Sequence, residues 1–183
     1  MKARRFFEKL EALYGDEQAR LNELDAAIGD GDHGSTMLRG LSAAVKAGDG
    51  SQAKAFMRAS GGASGTLFGL ILHEIELHLS GSERSLAAHL GRSLQRIKEL
   101  GKVAAGDKSM VDALEPAVAA LDAGGGTSDA VSAAEGGRDS TRDMAARRGR
   151  ARYVENAGKG HVDPGAASVC LILGVLAGEE EAR

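Results

Sequence analysis

Apolar side chains recur every three or four residues along most of the chain. This spacing places them on one face of an α-helix and therefore predicts amphipathic helices. The residues that follow it are Phe6, Leu10 and Leu13; Leu21, Leu24 and Ile28; Leu86, Leu90, Leu94 and Ile97; and Val111, Leu114, Val118 and Leu121. Because no run alternates strictly between apolar and polar residues, the pattern predicts an all-α protein with eight or nine helices.

Two further segments, Thr66–Leu79 and Ala166–Ala177, are apolar on more than one face, which is typical of buried helices. Short helices joined by short loops favour antiparallel neighbours. We therefore expect a helical bundle or a closed helical barrel that forms a single domain over residues 1–183. In an up-and-down arrangement alternate loops lie at the same end, so loops that carry chemistry could converge there.

Composition narrows the class of protein. Aromatic residues make up 3% of the chain, and the 26 glycines cluster between the predicted helices. The net charge of −3 disfavours nucleic-acid binding, and the single Cys170 excludes an internal disulfide. The apolar stretch Ala166–Gly178 is shorter than the roughly 20 residues of a membrane span, and the N-terminus has no apolar leader. We expect a soluble cytoplasmic protein that binds neither nucleic acid nor membranes.

The segment LNELDAAIGDGDHGSTM places Asp25, Asp30 and Asp32 within eight residues. Three carboxylates this close repel one another unless a cation neutralises them, and oxygen-only ligands suit Mg²⁺ or Ca²⁺. Helix capping by Asp30 or Asp32 is the alternative. The glycines here spell GxGxxG, but no strand precedes them, and the ligand spacing of an EF-hand is absent. Neither a dinucleotide fold nor an EF-hand is therefore expected.

Two more glycine-rich loops carry polar residues. SGGASG, residues 60–65, precedes a long apolar helix, so its backbone N–H groups could bind an anion with help from the Ser64 hydroxyl. A close helix crossing or a simple cap explains this segment equally well. GKVAAGDKS, residues 101–109, has one residue too many for a P-loop and no strand before it. Asp107 is instead expected to cap a helix from Ser109, and a nucleotide-facing role for the loop stays open.

The C-terminal part contains four arginines and a DPG turn. The arginines form either a solvated basic surface or a group of which one member reaches a phosphate: Arg147, Arg148, Arg150 and Arg152. Asp163, Pro164 and Gly165 predict a turn that caps the following helix, with the proline near its first position. Carboxylates for cations, a helix start for phosphates and a cation for negative charge are together the parts needed to bind a nucleotide polyphosphate.

Five segments resemble one known family and follow that family's order. They are LDAAIGDGDHGSTM, GGASGTLFG, GDKSMVDALEPAV, RRGRARY and HVDPGAASV, spread from about residue 21 to residue 169. The chain is similar to the DhaL family of nucleotide-binding subunits of dihydroxyacetone kinases, and to the C-terminal nucleotide domain of single-chain ATP-dependent kinases.

The resemblance implies a fold and a set of site residues. The fold would be an eight-helix antiparallel up-and-down α-barrel with the nucleotide, ADP or ATP, bound at one end. Asp25, Asp30 and Asp32 would hold two Mg²⁺ ions. Arg150 would help to stabilise phosphate, and no general base is expected on this chain. The residues that would line the nucleotide site are His33, Ser35, Thr36, Ala63, Ser64, Gly101, Met110, Arg150, Asp163, Pro164 and Gly165.

The same resemblance implies an activity that needs partners. Phosphate would pass from the Mg-bound nucleotide to dihydroxyacetone held on a separate DhaK-type subunit. A DhaM-type phosphohistidine carrier of the phosphotransferase system would rephosphorylate the bound ADP. The alternatives are the nucleotide subunit of an ATP-dependent kinase for another short ketose, such as a tetrulose, and a non-catalytic module that binds a transcription regulator. A homodimer or weak oligomer is expected.

The chain departs from the family pattern at three places. Thr36 stands where the family often has asparagine, GDKSM replaces GDKTM, and the connection between Leu79 and Leu86 is short. These differences bear on the identity of the substrate more than on nucleotide binding, and the effect of Thr36 is not given by the sequence.

Overall fold

The computed structural model describes residues 2–181. Within these residues the regular secondary structure consists of helices alone. Three short 3₁₀ segments, Thr141–Asp143, Arg150–Tyr153 and Glu155–Gly158, lie between the last two α-helices. The prediction of an all-α protein with eight helices is confirmed within these residues. The α-helices are α1 Lys2–Ala26, α2 His33–Lys46, α3 Gln52–Ser60, α4 Gly62–Leu79, α5 Leu86–Gly101, α6 Val111–Asp122, α7 Thr127–Ser140 and α8 Pro164–Glu181.

The eight helices form a closed ring. Each helix packs against the next one in the chain, and α8 completes the ring by packing against α1. The connections after α1, α3, α5 and α7 meet at one end of the barrel, where they surround a cavity. At the opposite end, Arg5 and Lys9 near the start of α1 form ion pairs with Glu179 near the end of α8. The up-and-down barrel expected from the resemblance is therefore the observed architecture.

The core consists of apolar side chains from all eight helices. In α4 the fully or almost fully buried residues are Phe68, Ile71, Leu72 and Ile75, and in α8 they include Val169, Ile172 and Leu176. Both helices are apolar on several faces because they face the interior as well as their two neighbours in the ring. The expectation of two deeply buried helices is confirmed. Each such side chain contributes roughly 1.5–3 kcal/mol by leaving water.

Polar side chains between α4, α5 and α8 are paired with one another. Glu74 accepts hydrogen bonds from His89 Nδ1 at 2.6 Å and from Arg92 Nε at 3.1 Å, and His78 Nε2 lies 3.1 Å from Glu180 Oε1. Glu74 and His78 therefore belong to the packing faces between these helices.

None of the described helices combines the length and the apolar character that a lipid bilayer crossing requires. The prediction of one domain over residues 1–183 includes residues 1, 182 and 183, which lie outside the described part of the chain. Residues 2–181 form the single ring described above.

Candidate functional site

The cavity lies at the end of the barrel where the connections after α1, α3, α5 and α7 meet, and its volume is about 470 Å³. Its walls come from the α1–α2 loop, the α3–α4 junction, the α5–α6 loop and the long α7–α8 connection. Ser35 and Gly101 are the two predicted site residues that do not line it. Those that do are Asp25, Asp30, Asp32, His33, Thr36, Ala63, Ser64, Met110, Arg150, Asp163, Pro164 and Gly165.

The acidic loop brings three carboxylates together. Oxygens of Asp25, Asp30 and Asp32 lie within 4.8 Å of one another, with Asp25 half-buried and the other two exposed. Asp25, in the last turn of α1, accepts hydrogen bonds through Oδ2 from the backbone N–H of Asp32 at 2.9 Å and of His33 at 3.2 Å. Asp32 occupies the N-cap position of α2, but its side chain makes no capping hydrogen bond. The capping alternative is therefore not what the structure contains.

The chemistry of this loop fits a hard divalent cation. Three converging carboxylates offer oxygen ligands of the kind that Mg²⁺ prefers, and their mutual repulsion is relieved when a cation binds. Gly29 makes room for the arrangement, because a Cβ at this position would lie 2.4 Å from Asp25 Oδ1. The guanidinium of Arg150 contacts Asp30 Oδ2, which places a positive side chain at the edge of the same cluster. Among residues 2–181, this is the one group of three side chains with metal-ligand geometry.

The glycine–serine loop forms the sharp joint between α3 and α4. Gly61 and Gly62 have φ values of +68° and +64°, which side chains rarely allow, and the two helices are separated by Gly61 alone. Ala63 and Ser64 lie exposed in the first turn of α4. The first N–H groups of an α-helix have no acceptor within it, and the helix dipole adds a partial positive charge there. This helix start faces the cavity and suits an anion such as phosphate.

One wall of the cavity is apolar. Leu67 and Phe68 of α4, Val103 of the α5–α6 loop and Met110 line it. Gly101 stands behind this wall, because a Cβ at this position would lie 3.3 Å from Val103 and 3.5 Å from Leu67. Gly101 can thus affect a ligand only through the packing of Val103 and Leu67. The sequence motifs did not single out these two side chains.

His33 and Ser35 begin α2 but face different neighbours. His33 is 7% exposed, and its Nε2 lies 2.8 Å from Ser168 Oγ of α8. Burial lowers the pKa of the His33 imidazole to about 4, so the side chain is neutral at neutral pH. Ser35 Oγ accepts from Gln18 Nε2 at 3.0 Å and Asn22 Nδ2 at 2.9 Å. Ser35 thus fastens α2 to α1, and its role as a nucleotide contact stays a prediction.

Lys108 joins two of the loops that border the cavity. Its ammonium donates to the backbone carbonyls of Thr141 and His161, and it is only 3% exposed. Burial lowers the pKa of this ammonium, and the nearby carboxylates of Asp163 and Asp112 oppose that change. The backbone of Lys108 has a φ of +62°, a left-handed conformation that is costly for a residue with a side chain. Lys108 therefore fixes the α5–α6 loop against the α7–α8 connection.

The expected cap at Asp107 is wrong. Asp107 Oδ2 accepts from the backbone N–H of Ala104 at 2.9 Å, within its own loop. Asp112 instead accepts from Ser109 N at 2.7 Å and from Gly106 N at 2.5 Å, and α6 begins at Val111. Asp112 lies inside α6 and accepts these hydrogen bonds from residues that precede the helix, so it joins the α5–α6 loop to α6. The N-cap position is Met110, and it makes no side-chain capping hydrogen bond.

The DPG turn is a helix cap that also borders the cavity. Asp163 Oδ2 accepts from Ala166 N at 2.7 Å, and Pro164 is the first residue of α8, as predicted. Burial raises the pKa of the Asp163 carboxyl to about 7, against the effects of the Ala166 N–H and the Lys108 ammonium. Gly165 packs against Met110, since a Cβ at this position would lie 3.5 Å from it.

The fold and the site define an all-helical domain: a closed barrel of eight helices with an acidic loop and a glycine-rich helix start beside one cavity. Residues 27–178 match the family model described as the DAK2 domain. The chain belongs to this family.

Similar proteins occur both as free-standing chains and as parts of longer ones. The ADP-binding subunit DhaL of PEP-dependent dihydroxyacetone kinase 1 from Listeria innocua is 37% identical over 167 residues, which cover 84% of this chain and 83% of that one. The corresponding DhaL subunit from Escherichia coli is 31% identical, over 90% of each chain. L-erythrulose 1-kinase from Mycolicibacterium smegmatis is 32% identical over 92% of this chain but only 34% of its own length.

The fold is shared with a solved kinase structure. The crystal structure of the dihydroxyacetone kinase from C. freundii in complex with AMP-PNP and Mg²⁺ superposes with a TM-score of 0.74 at 24% identity. The superposition covers 99% of this chain and 34% of that one. At this level of identity the comparison establishes the helical barrel, which agrees with the expected architecture.

Proposed function

We propose that this chain is the ADP-binding subunit of a phosphoenolpyruvate-dependent dihydroxyacetone kinase. The observation that carries the proposal is the convergence of Asp25, Asp30 and Asp32 within 4.8 Å beside the exposed start of α4, on the wall of one cavity. Full-length relatives that match across most of this chain are DhaL subunits of such kinases. The proposal places the chain in the cytoplasm with a DhaK-type subunit and a DhaM-type carrier.

In this proposal, different residues of the cavity bind the metal ions, the phosphates and the base of the nucleotide. Asp25, Asp30 and Asp32 would hold two Mg²⁺ ions, which supply positive charge next to the phosphate oxygens. The N–H groups at the start of α4 and the Ser64 hydroxyl bind phosphate, and Arg150 adds a cation at the cluster's edge. The apolar wall formed by residues such as Leu67 and Met110 receives the base.

The neutral imidazole of His33 fits this role. Because burial keeps the pKa near 4, the ring adds no positive charge beside the acidic loop at neutral pH. Its contact with Ser168 Oγ holds the ring in one orientation at the cavity wall. His33 is thus a fixed, neutral part of the cavity wall, and phosphoryl transfer depends on the positioning of groups more than on proton transfer from this chain.

A second candidate is a kinase component that uses ATP directly on another short ketose. The matches to L-erythrulose 1-kinase and D-erythrulose kinase, both at 32% identity, favour it. In those relatives the matching region is about a third of the protein. A kinase of this kind would also need a substrate-binding part beyond the matched region.

The first experiment tests the metal and nucleotide site. The Asp32→Asn variant, which keeps the size of the side chain and removes one charge, is compared with wild type and with Asp122→Asn, an exposed aspartate at the end of α6 far from the cavity. Calorimetry with ADP and Mg²⁺ is expected to give at least about hundredfold weaker binding for the first variant, since one of three ligands is lost. The Asp122 variant is expected to match wild type. Equal ADP affinity in all three proteins would contradict the assignment of the acidic loop as the metal and nucleotide site.

The second experiment separates the two donors. Nucleotide released from the purified protein is identified by mass spectrometry, and its exchange with labelled ADP is timed. The phosphoenolpyruvate-dependent function predicts bound ADP, slow exchange, and dihydroxyacetone phosphorylation when the partner subunits of the Listeria innocua kinase and phosphoenolpyruvate are supplied. Rapid exchange with turnover on ATP alone, or preferential use of erythrulose, would favour the second candidate.

A further inference from the structure

Arg39, on the second turn of α2, connects the helix that follows the acidic loop to the glycine-rich α3–α4 junction. Its Nε donates to the carbonyl of Ala59 at 3.0 Å, and its Nη2 donates to the carbonyl of Ser60 at 2.9 Å. The same Nη2 lies 3.3 Å from Thr36 Oγ1, one turn earlier in α2. Arg39 also lines the cavity. None of the sequence motifs assigns it a role.

The two carbonyls that Arg39 binds end α3. The last carbonyls of an α-helix have no donor within the helix, and they give its C-terminus a partial negative charge of about half an elementary charge. In α3 the Ser60 hydroxyl satisfies the carbonyl of Phe56, and the Gly61 N–H satisfies that of Met57. Arg39 supplies the hydrogen bonds for the carbonyls of Ala59 and Ser60.

The negative end of α3 lies directly against the positive start of α4. A single residue, Gly61, separates the helices, so a phosphate bound at Ala63 and Ser64 lies close to the terminal carbonyls of α3. Those carbonyls repel an anion, and their field opposes the attraction of the α4 dipole. The positive charge of a guanidinium that is hydrogen-bonded to both carbonyls offsets this repulsion.

We propose that Arg39 is a positioning residue that makes the α3–α4 junction able to bind phosphate. It neutralises the end of α3 and, through Thr36, fixes the glycine loop relative to the helix that follows the acidic loop. This inference rests on the proposed function, because it assigns Arg39 to the phosphate side of the same nucleotide site. The planar fork of arginine matters, since its donors reach two carbonyls and a hydroxyl at once, whereas lysine carries the charge without that geometry.

The test compares a ligand with phosphates to one without them. Binding of ADP with Mg²⁺ and of adenosine is measured for wild type, Arg39→Met and Arg39→Lys by calorimetry and ligand-observed NMR. The matched control is Arg84→Met, which removes an exposed arginine between α4 and α5 that does not line the cavity. Thermal unfolding verifies that each variant is folded, and Arg39→Lys carries the comparison if Arg39→Met does not fold.

The expected result is a loss that depends on phosphate. Arg39→Met should weaken ADP binding at least about tenfold and leave adenosine binding within about twofold, and Arg39→Lys should lie between Arg39→Met and wild type. Arg84→Met should resemble wild type. Equal losses for ADP and adenosine would assign Arg39 a purely structural role, and unchanged ADP binding would refute the inference while leaving the proposed function intact. Absence of ADP binding by wild type would overturn both.

Discussion

Replacing Asp163 by asparagine should change how the stability of this protein depends on pH. Asp163 caps α8 with its Oδ2, and asparagine can accept the same hydrogen bond from the Ala166 N–H. The variant therefore keeps the shape of the cap and removes the titrating carboxyl. The charged groups next to it are the Lys108 ammonium and the Asp112 carboxylate, and both remain.

The sign of the effect follows from the direction of the pKa change. Burial raises the pKa of Asp163 from 3.8 to about 7, so the folded protein holds this proton more tightly than the unfolded chain does. Its contribution to stability is complete below the unfolded pKa and is lost as the pH rises through about 7. Each whole unit between the two values corresponds to about 1.4 kcal/mol, so the carboxyl costs the wild type up to about 4 kcal/mol at high pH.

The measurement is urea unfolding followed by circular dichroism from about pH 4 to about pH 8, without nucleotide or Mg²⁺. His33 acts in the opposite direction, because burial lowers its pKa and favours folding as the pH rises from about 4 towards 6.5. The difference between wild type and Asp163→Asn removes this shared contribution. The variant should gain stability relative to wild type across the interval, by a few kcal/mol. Parallel curves for the two proteins would refute the reasoning.

Three further substitutions test the packing of the barrel. Gly40→Ala should destabilise the protein by about 1–3 kcal/mol, because its Cβ would lie 2.0 Å from Ser60 Oγ. The matched control is Gly136→Ala in α7, whose Cβ would meet nothing within 4 Å and which should stabilise the protein by about 0.5–1 kcal/mol. Urea unfolding measures the free energy of unfolding of both variants. Glu74→Ala leaves the buried His89 without its acceptor and should cost about 1–3 kcal/mol, with ADP affinity unchanged by calorimetry. Loss of ADP affinity would contradict the separation of this cluster from the cavity.

Most of the helical framework could be predicted because it depends on local periodicity. The apolar positions of α4 and α8 are visible in the sequence, and their burial follows from that pattern alone. Asp25, Asp30 and Asp32 lie within eight residues, so their convergence required only the geometry of one turn. These features need no knowledge of how distant segments meet.

The remaining features depend on contacts between distant parts of the chain. Arg39 reaches carbonyls some twenty positions away, and Lys108 binds carbonyls of residues 141 and 161, so neither role has a local signature. The cap expected at Asp107 required a helix from Ser109, but α6 begins at Val111, and sequence gives the start of a helix only to within a few residues. The nucleotide contacts assigned to the predicted site residues, whether or not they line the cavity, stay predictions.

The pairing of Arg5 and Lys9 with Glu179 places the first turns of α1 and the last turn of α8 side by side, at the pole of the barrel opposite the cavity. A polypeptide fused to either helix would leave from that pole and would not obstruct the mouth of the cavity. The same architecture can therefore serve as a separate polypeptide or as one module of a larger enzyme without alteration of its chemistry. The Listeria innocua subunit and the Mycolicibacterium smegmatis kinase represent these two modes of use.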